Sequence, residues 1–522
     1  MKKYILILFF SFIKLNAQRN VILIIADDLG SDYCGFYENH VDTVSMPNVR
    51  KLLNRGVRFR YAWSNPLCSP TRAGILTGRY SFRTGMGDVV AAGSAEIDTA
   101  EITIPRLLKK YSSNKIATAS VGKWHLTAPK PAKFTYPNIM GYDYYAGNFL
   151  GQLANYYSWT KIVNGVSGTS NVYATIDETS DAINWIKTQK NQQFFLWLAY
   201  NAPHSPYHLP PTGLYSDKTL SGTAADITAN PKAYFKAMTE ALDNQVGRLF
   251  DSLQSMKLWD NTDIIFIGDN GDDPLVNQGT NSAKGSIYQD GISVPMIIAG
   301  PSVVNPNRVS TELVNTADIY ATVLDLFGDT AWSKNVPQNK PVDSRSMMPI
   351  LKNQNVKMRD WIFTEIFKVT PTAGDGKTMR NATHKLLDFD NGTQKFFKIS
   401  TDPNEKTNLL TGTLNFEDGT NYAYLCNEMT KLVGVSRFCD DNVSKPNLHH
   451  TSNNIAYPNP FTNRIYLKES AQNMEVFLQN NLGQIVFEGQ DIEKQNFENL
   501  PSGIYFLRLK NTSNETMKLI KH

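Results

Sequence analysis

The chain contains little cysteine, no block of like charge and no long apolar run beyond its N-terminus. Its 522 residues include four cysteines, and 52 basic residues nearly balance 48 acidic ones, for a formal net charge of +4. Without a basic field, the sequence gives no indication of nucleic-acid binding. No later stretch approaches ~20 apolar residues, so we predict no transmembrane helix. A hydrophobic content of 41% is typical of a globular protein with a buried core.

The first residues, MKKYILILFFSFIKLNA, have the pattern of a secretory signal peptide. Lys2 and Lys3 precede an apolar run from Tyr4 to Ile13, and the small residue Ala17 suits cleavage. We therefore predict a signal peptide over residues 1–17 and an exported, soluble mature chain. Its removal takes away three lysines and no acidic residue, which lowers the formal charge from +4 to +1.

The few cysteines allow three complete disulfide pairings. Cys426 and Cys439 are close in sequence, which favours a disulfide between them without requiring one. Cys34 and Cys68 need separate explanations.

Short apolar runs alternate with longer amphipathic segments between about residues 20 and 330. Five runs are typical of buried strands: NVILIIADD, KIATASVGKWH, FFLWLAYNAPH, DIIFIGDNG and VPMIIAG. Helical segments such as AYFKAMTEALDNQVGRLFDSLQSM and NTADIYATVLDLFG lie between or after them. This alternation predicts an α/β fold with a mostly parallel sheet covered on both faces.

The C-terminal part has a different texture. Residues 377–410 indicate short antiparallel strands, and a linker rich in Asn, Ser and His precedes a unit of short alternating strands, typical of a small β-sandwich. After the signal peptide we predict four parts: a main domain (18–365), an antiparallel α+β subdomain (366–440), a linker (441–454) and the sandwich (455–522).

Polar side chains lie at or just beyond the ends of four predicted strands. Alone, each acidic residue is more typical of a turn or cap, and each histidine of a satisfied structural group. In open α/β sheets, however, ligands bind at the carboxyl ends of strands. We therefore predict that one crevice is lined by Asp27, Asp28, Lys123, His125, His204, Asp269 and Asn270.

The oxygen donors of this set suit a hard cation. Asp27, Asp28, Asp269 and Asn270 include no soft ligand, which favours Ca²⁺ or Mg²⁺ over zinc, and the mixture of carboxylates and an amide leans toward Ca²⁺. The cations and proton carriers around them suit an anionic tetrahedral substrate, a sulfate or phosphate ester. These are Arg72, Lys123, His125, His204 and Lys284.

The segment NPLCSPTRAGILTGRY places a cysteine at an apparent helix start. Pro70 suits the first turn of a helix, so Cys68 lies where the helix dipole favours an anion. The alternative is a cysteine that is merely buried, or paired with Cys34.

The stretch CSPTRAGILTG resembles the C-x-P-x-R core and following helix of the type I sulfatases, members of the alkaline phosphatase-like superfamily whose cysteine is oxidised to formylglycine (3-oxoalanine). Five further segments are similar to sulfatase segments in the same order: ADDLG, GKWHL, APHSP, GDNG and KGSIYQDGISVP. The resemblance covers roughly residues 20 to 415. It implies the alkaline phosphatase-like fold and hydrolysis of sulfate esters.

Carried over position by position, the resemblance implies that a formylglycine-generating or sulfatase-maturating enzyme converts Cys68 to the nucleophile. One Ca²⁺ (Mg²⁺ is less favoured) would be held by residue 68 with Asp27, Asp28, Asp269 and Asn270. Arg72 and Lys123 would stabilise the formylglycine hydrate, and His125 would act as the base on it. His204 and Lys284 would bind the sulfate and assist the leaving oxygen.

Some positions depart from the sulfatase pattern. Asp290 and Ser293 stand where the family usually shows Gly and Arg, Ser81 and Phe82 where Pro-His is common, and two acidic residues, Asp272–Asp273, follow the metal motif. None of these is a core catalytic position, so they concern the substrate subsites.

The C-terminal unit resembles a type IX secretion sorting domain through AYPNPFTNRIYL, LGQIVFEG, LPSGIYFLRLKN and MKLIKH. That resemblance implies export by the type IX machinery to the cell surface or medium. The alternative is a small carbohydrate-binding or adhesive sandwich, and the lack of an evident aromatic platform disfavours sugar binding.

Together these features predict an exported sulfatase that acts on sulfated polysaccharide or oligosaccharide. Two alternatives stay open: a phosphoester or phosphonate hydrolase of the same superfamily, and a non-catalytic glycan-binding surface protein.

Overall fold

The structure is a computed structural model that describes residues 19–434 and 456–521, except for 38–39, 92–93, 114, 190–191, 280–282, 469–473, 481–483 and 511–515. The predicted signal peptide, the predicted linker and Cys439 lie outside the described residues. The chain divides into two compact units. One contains the residues up to Gly412 and those from Asn421, and the other contains Thr413–Thr420 and the C-terminal residues.

The first unit is built on a large sheet. Within the described residues this sheet has ten strands: β1 (Asn20–Ala26), β2 (Gly56–Trp63), β3 (Ala117–Lys123), β4 (Tyr144–Asn148), β5 (Trp159–Val163), β6 (Val166–Ser170), β7 (Phe194–Ala199), β8 (Thr262–Gly268), β9 (Met296–Ala299) and β10 (Arg308–Asn315). Their spatial order is β10-β2-β9-β8-β1-β7-β3-β4-β5-β6. The five predicted strands are β1, β3, β7, β8 and β9.

The centre of this sheet is parallel. Strand β1 pairs in parallel with β7 and β8, and β3 does so with β7 and β4. Strand β9 runs antiparallel between β8 and β2, and β5 and β6 add an antiparallel edge. The prediction of a mostly parallel α/β sheet is confirmed.

Helices cover both faces of the sheet. The α-helices are α1 (Pro47–Lys51), α2 (Cys68–Thr77), α3 (Ser81–Thr84), α4 (Ile104–Ser112), α5 (Tyr136–Ile139), α6 (Ala174–Thr188), α7 (Ala224–Ala229), α8 (Pro231–Ser255), α9 (Gln289–Ile292), α10 (Ile319–Leu326), α11 (Met348–Leu351) and α12 (Phe416–Val433). Alternate residues of β1 enter two different cores, since successive side chains of a strand point to opposite faces. Ile22 and Ile24 pack in the core that contains residues of α6 and α8, and Leu23 in the core that contains residues of α2, α4 and α10.

A second sheet in the first unit contains β11 (Ile362–Ile366), β12 (Gly376–Arg380), β13 (Lys385–Phe389) and β14 (Gln394–Phe397), all antiparallel. Strands β12, β13 and β14 confirm the antiparallel strands predicted over residues 377–410, whereas β11 begins before the predicted start of the subdomain at residue 366. After β14, the side chain of Glu405 accepts a hydrogen bond of 2.5 Å from the backbone N–H of Gln289. The subdomain thereby holds the segment that follows Lys284.

The second unit contains two small antiparallel sheets. One pairs β15 (Ala456–Tyr457) with β16 (Tyr466–Leu467). The other has the order β18-β17-β19-β20, with β17 (Val476–Asn480), β18 (Ile485–Gly489), β19 (Gly503–Leu509) and β20 (Thr516–Lys521). Phe461, Leu478 and Leu507 are among its core residues. In neither unit does a described helix have the length and apolar character needed to cross a membrane.

Candidate functional site

The carboxyl ends of the central parallel strands bring the predicted side chains together. Asp27 and Asp28 directly follow β1, Asp269 directly follows β8, and Lys123 is the last residue of β3. The Lys123 ammonium donates to Asp27 over 2.5 Å, and the backbone N–H of Asp28 donates to Asp269 over 3.1 Å. These contacts link three strands at one edge of the sheet, as the sequence predicts.

Helix α2 begins at Cys68, and each of its ten residues is buried. The Cys68 sulfur lies 3.2 Å from Nδ1 of His125, whose ring comes from the segment after β3. Cys68 and Cys34 are both free thiols, and the Cys34 sulfur lies 3.7 Å from the carbonyl oxygen of Gly30. The alternative of a Cys34–Cys68 disulfide is therefore wrong. Cys426 is disulfide-bonded.

Arg72 ties the strand ends to α2. Its Nε and Nη2 groups donate to one oxygen of Asp269 over 3.1 and 2.8 Å, and Nη1 donates to the carbonyl oxygen of Lys123 over 2.8 Å. Both Arg72 and Asp269 are fully buried, so this charge pair has no solvent to weaken it. Arg72 fixes two neighbouring groups of the site.

His204 and Lys284 form the outer layer of the site. The Lys284 ammonium lies 2.8 Å from Oδ2 of Asp28 and 2.9 Å from Nε2 of His204. Nδ1 of His204 lies 2.8 Å from the carbonyl oxygen of Ser205, so Nδ1 donates there and Nε2 accepts from Lys284. The side chains of His204 and Lys284 are 10% and 14% exposed, whereas Asp28 beneath them is 1% exposed.

Most of the chain is similar to known protein families. A family model described as sulfatase matches residues 19–329, more than half of the chain. The chain belongs to the sulfatase family. The C-terminal model of N-sulphoglucosamine sulphohydrolase matches residues 282–431, and a model described as a secretion system C-terminal sorting domain matches residues 455–522. Both resemblances seen in the sequence are thus confirmed.

Named sulfatases are among the relatives. Arylsulfatase J of Mus musculus is 30% identical over 334 residues, which cover 60% of this chain and 53% of that protein. N-acetylgalactosamine-6-sulfatase of Homo sapiens is 28% identical over 370 residues, or 64% and 65% of the two chains. This sulfatase therefore aligns with about half to two thirds of the length of these curated relatives.

The solved structures include a similar fold. Ps i-CgsB, crystallised in complex with k-i-k-neocarrahexaose, superposes with a TM-score of 0.66 and 28% identity over 80% of this chain and 92% of that one. The match confirms the alkaline phosphatase-like architecture that the sequence resemblance implies.

Both histidines of the sulfatase site are held neutral. Burial, together with the charges of Lys123 and Arg72, lowers the pKa of His125 well below its usual value. Burial and the Lys284 ammonium lower the pKa of His204 to about 4, although Asp28 opposes this shift. At neutral pH each ring therefore retains a nitrogen that can accept a proton.

The inner donor set fits a hard divalent cation. Two buried oxygens, Oδ1 of Asp27 and Oδ1 of Asn270, have no hydrogen-bond partner among the described residues. An oxygen of Asp27, an oxygen of Asp269 and the Cys68 sulfur lie within 4.8 Å of one another. Burial raises the pKa of Asp27 to about 8 although Lys123 opposes it, so a further positive charge would favour the carboxylate. Carboxylate and amide oxygens are the ligands that calcium prefers.

The sequence did not reveal three polar residues that support this site. Glu178 on α6, Asn201 after β7 and Asn148 at the end of β4 form a buried hydrogen-bonded group. The one signal in the sequence is Asn201, a polar residue between the apolar run FFLWLAY and the Ala-Pro that precedes His204. Ser69 also supports the site, since its hydroxyl donates to the carbonyl oxygen of His125 over 2.7 Å.

Several residues that depart from the sulfatase pattern have local structural contacts. Asp272 is buried, and its Oδ1 accepts from the backbone N–H of Gly30 over 2.7 Å. The backbone N–H of Ser31 donates to the carbonyl oxygen of Ser293, and the two hydroxyl oxygens lie 3.1 Å apart. Asp272 and Ser293 thus hold the loop that follows Asp27 and Asp28.

Proposed function

We propose that this sulfatase is an exported enzyme that hydrolyses sulfate esters of sulfated polysaccharides or oligosaccharides. The observation that carries the proposal is the arrangement of the site, in which Cys68 at the start of a buried helix lies within 4.8 Å of oxygens of Asp27 and Asp269 and near the cations Lys123 and Lys284. Three carboxylates (Asp27, Asp28 and Asp269) are matched by three cations (Arg72, Lys123 and Lys284). A bound divalent cation would make the cluster net positive, which favours an anionic ester.

In this proposal Asp27, Asp28, Asp269 and Asn270 hold one Ca²⁺ together with residue 68. When bound, the calcium ion would lower the pKa of a hydroxyl at residue 68 and offset negative charge on the sulfate. Cys68, once converted to formylglycine, would supply the nucleophile that splits one displacement into two easier steps. The orphaned oxygens of Asp27 and Asn270 support this assignment.

The remaining side chains then act by charge and proton transfer. Lys284 and His204, the outermost groups, bind the sulfate and assist the leaving oxygen: Nε2 of the neutral His204 accepts from the Lys284 ammonium and holds it where it donates a proton to that oxygen. His125, held neutral beside residue 68, accepts a proton from the group there. Lys123 and Arg72 hold Asp27 and Asp269 in place and supply positive charge to residue 68.

The carbohydrate substrate is supported by the names of similar proteins. One curated relative is an N-acetylgalactosamine-6-sulfatase, and the similar solved structure was crystallised in complex with a neocarrahexaose. Export is supported by the sorting-domain match at residues 455–522. We propose cleavage after residue 17, passage through the type IX machinery, and the four-part division given above.

Sulfate release from a panel of esters tests this proposal. The panel contains sulfated polysaccharides and oligosaccharides, aryl and steroid sulfates, and the matching phosphate esters, all with protein made in its native host. We expect sulfate from the carbohydrate esters and little phosphate. Activity confined to small sulfates would contradict the carbohydrate substrate, and phosphate release above sulfate release would contradict sulfatase activity. Binding of sulfated glycan without any hydrolysis would favour a non-catalytic protein.

A further inference from the structure

Glu178 is a buried carboxyl group to which the proposed reaction gives no role. It lies on α6 and is 1% exposed. Its Oε1 accepts a hydrogen bond of 2.5 Å from Nδ2 of Asn201 and one of 3.3 Å from the backbone N–H of the same residue. A carboxyl group that binds both the side chain and the backbone of one loop residue fixes the position of that residue.

Asn201 in turn holds the turn that carries His204. The carbonyl oxygen of Asn201 accepts from the backbone N–H of His204 over 3.1 Å. The Tyr156 hydroxyl lies 2.7 Å from the carbonyl oxygens of both Asn201 and His204. The next carbonyl oxygen, that of Ala202, accepts from the backbone N–H of Asp27 over 3.1 Å. A shift of Asn201 would therefore move His204.

The same group reaches the end of β4. Nδ2 of Asn201 also donates to Oδ1 of Asn148 over 2.8 Å. The carbonyl oxygen of Asn148 accepts from the backbone N–H of Trp124, the residue between Lys123 and His125. Glu178 thus connects a helix outside the site to the loops on both sides of it.

We propose that Glu178, acting through Asn201, is a positioning residue that holds His204 where it assists the leaving oxygen. This inference rests on the proposed function of His204. The three members of the network are each 1% exposed and converge from α6, β4 and the loop after β7. Buried polar groups that are fixed in this way hold neighbouring side chains more rigidly than surface contacts do.

The charge state of Glu178 fits a positioning role. Burial raises the pKa of Glu178 to about 8, although the hydrogen bonds from Asn201 oppose the shift. The carboxyl group is therefore mainly neutral at neutral pH and places no fourth negative charge behind Asp27. The positioning role of Glu178 depends on its acceptor oxygen and not on a negative charge. We therefore expect glutamine at this position to retain that role.

The test measures how sulfate release depends on the leaving group. Aryl sulfates from 4-nitrophenyl through phenyl to 4-methoxyphenyl sulfate leave as phenols of decreasing acidity, so assistance to the leaving oxygen matters increasingly along the series. For His204→Ala and Glu178→Leu we expect kcat/KM to fall more steeply along the series than in the wild type. The loss for the poorest leaving group should approach ~100-fold for Glu178→Leu.

Two variants serve as matched controls. Glu178→Gln keeps the acceptor oxygen and should restore the wild-type dependence on the leaving group. Thr179→Val alters the next residue of α6, which is also buried but donates to Thr175 and contacts Tyr200 instead of Asn201. It should leave the dependence unchanged, whatever it does to stability. If Glu178→Leu does not fold, Asn201→Ala breaks the same contact from the other side.

The possible outcomes distinguish a failure of the positioning role of Glu178 from a failure of the proposed function. If the wild type releases no sulfate from any ester, the proposed function fails. If the wild type is active and Glu178→Leu or Asn201→Ala shows the same leaving-group dependence as Thr179→Val, the positioning role of Glu178 is wrong. A uniform loss along the series would likewise indicate a merely structural residue.

Discussion

Two buried oxygen atoms without hydrogen-bond partners among the described residues favour a cation in the inner part of the site. Oδ1 of Asp27 and Oδ1 of Asn270 have no hydrogen-bond partner in the described part of the chain, and an unsatisfied buried acceptor costs about 1–3 kcal/mol. A cation that binds both oxygens removes that cost. Lys123 donates to the other oxygen of Asp27, and the amide nitrogen of Asn270 donates to Asp28 and to the carbonyl oxygen of Gly271, so the orphaned oxygens stay available to a metal.

Calcium should therefore stabilise the folded protein. A ligand that binds only the folded state at 100 times its Kd stabilises it by about 2.7 kcal/mol. We expect a higher thermal midpoint in Ca²⁺ than in a chelator, and loss of that difference in Asn270→Leu. Asn315→Ala is the control, because Asn315 donates to the carbonyl oxygen of Phe363 and accepts from Ala317 outside the ligand set. An equal calcium effect in Asn270→Leu would contradict the assignment.

Gly151 limits the space around the imidazole ring of His125, the proposed proton acceptor. A Cβ at Gly151 would lie 2.5 Å from Cε1 and 2.6 Å from Nε2 of His125. Gly151→Ala should therefore displace the ring and lower kcat, by up to ~100-fold for a displacement of about 1 Å. Gly168→Ala is the control, since no atom lies within 4 Å of its Cβ position. Steady-state kinetics give kcat for both variants. An unchanged kcat in Gly151→Ala would show that Gly151 does not confine the His125 ring.

Among the secondary-structure elements, the ends of the central strands carry the residues of the site, and helix α6 carries Glu178, which supports it. Strands β1, β3, β7 and β8 are buried throughout, so apolar runs in the sequence revealed them and the polar residues at their ends. Strand β6, VSGTS, is mostly exposed at the sheet edge and has no apolar pattern to mark it. The sequence therefore predicted the centre of the sheet but not its edge.

The residues that support the site could not be predicted from the sequence, for a related reason. Glu178 lies in a helix whose composition is typical of any amphipathic segment, and its partners Asn201 and Asn148 come from other elements. Only the tertiary structure brings the three together. The proposed site residues were recognisable because they lie in short local motifs, whereas contacts between distant residues leave no mark in one sequence.

The raised pKa of Glu178 predicts how stability changes with pH. The pKa is about 8 in the folded protein against a usual 4.5, so the folded state binds the proton more tightly. Stability from this group is present below about pH 4.5 and is lost as the pH rises to about 8. Glu178→Gln should lack this loss, so thermal midpoints measured in calcium should diverge from the wild type between about pH 5 and pH 9. Parallel curves would contradict a raised pKa at Glu178.

At the scale of the whole molecule, the site belongs to the first unit. Its residues all lie between Asp27 and Lys284, and the sorting-domain match begins only at residue 455. Each unit has its own hydrophobic core. The proposed site and the sorting-domain match thus lie in different parts of the chain.

Removal of residues 441–522, which include the sorting-domain match, should therefore leave the chemistry intact. A chain that ends before residue 441 should keep the kcat/KM of the full chain toward aryl sulfates. The same truncation with Cys68→Ala controls for contaminating activity. A large loss of kcat/KM in a truncated protein that keeps its thermal midpoint would show that the C-terminal unit takes part in catalysis.

The proposed role of Cys68 as nucleophile is tested by sulfate release from sulfated oligosaccharides, measured by ion chromatography for the wild type and for Cys68→Ala. Both proteins come from the native host, and equal thermal midpoints establish that the variant is folded. The account predicts sulfate from the wild type and a loss of at least about 1,000-fold in the variant, because residue 68 supplies the nucleophile. Equal sulfate release by Cys68→Ala, or phosphate release from matched esters above sulfate release, would contradict it.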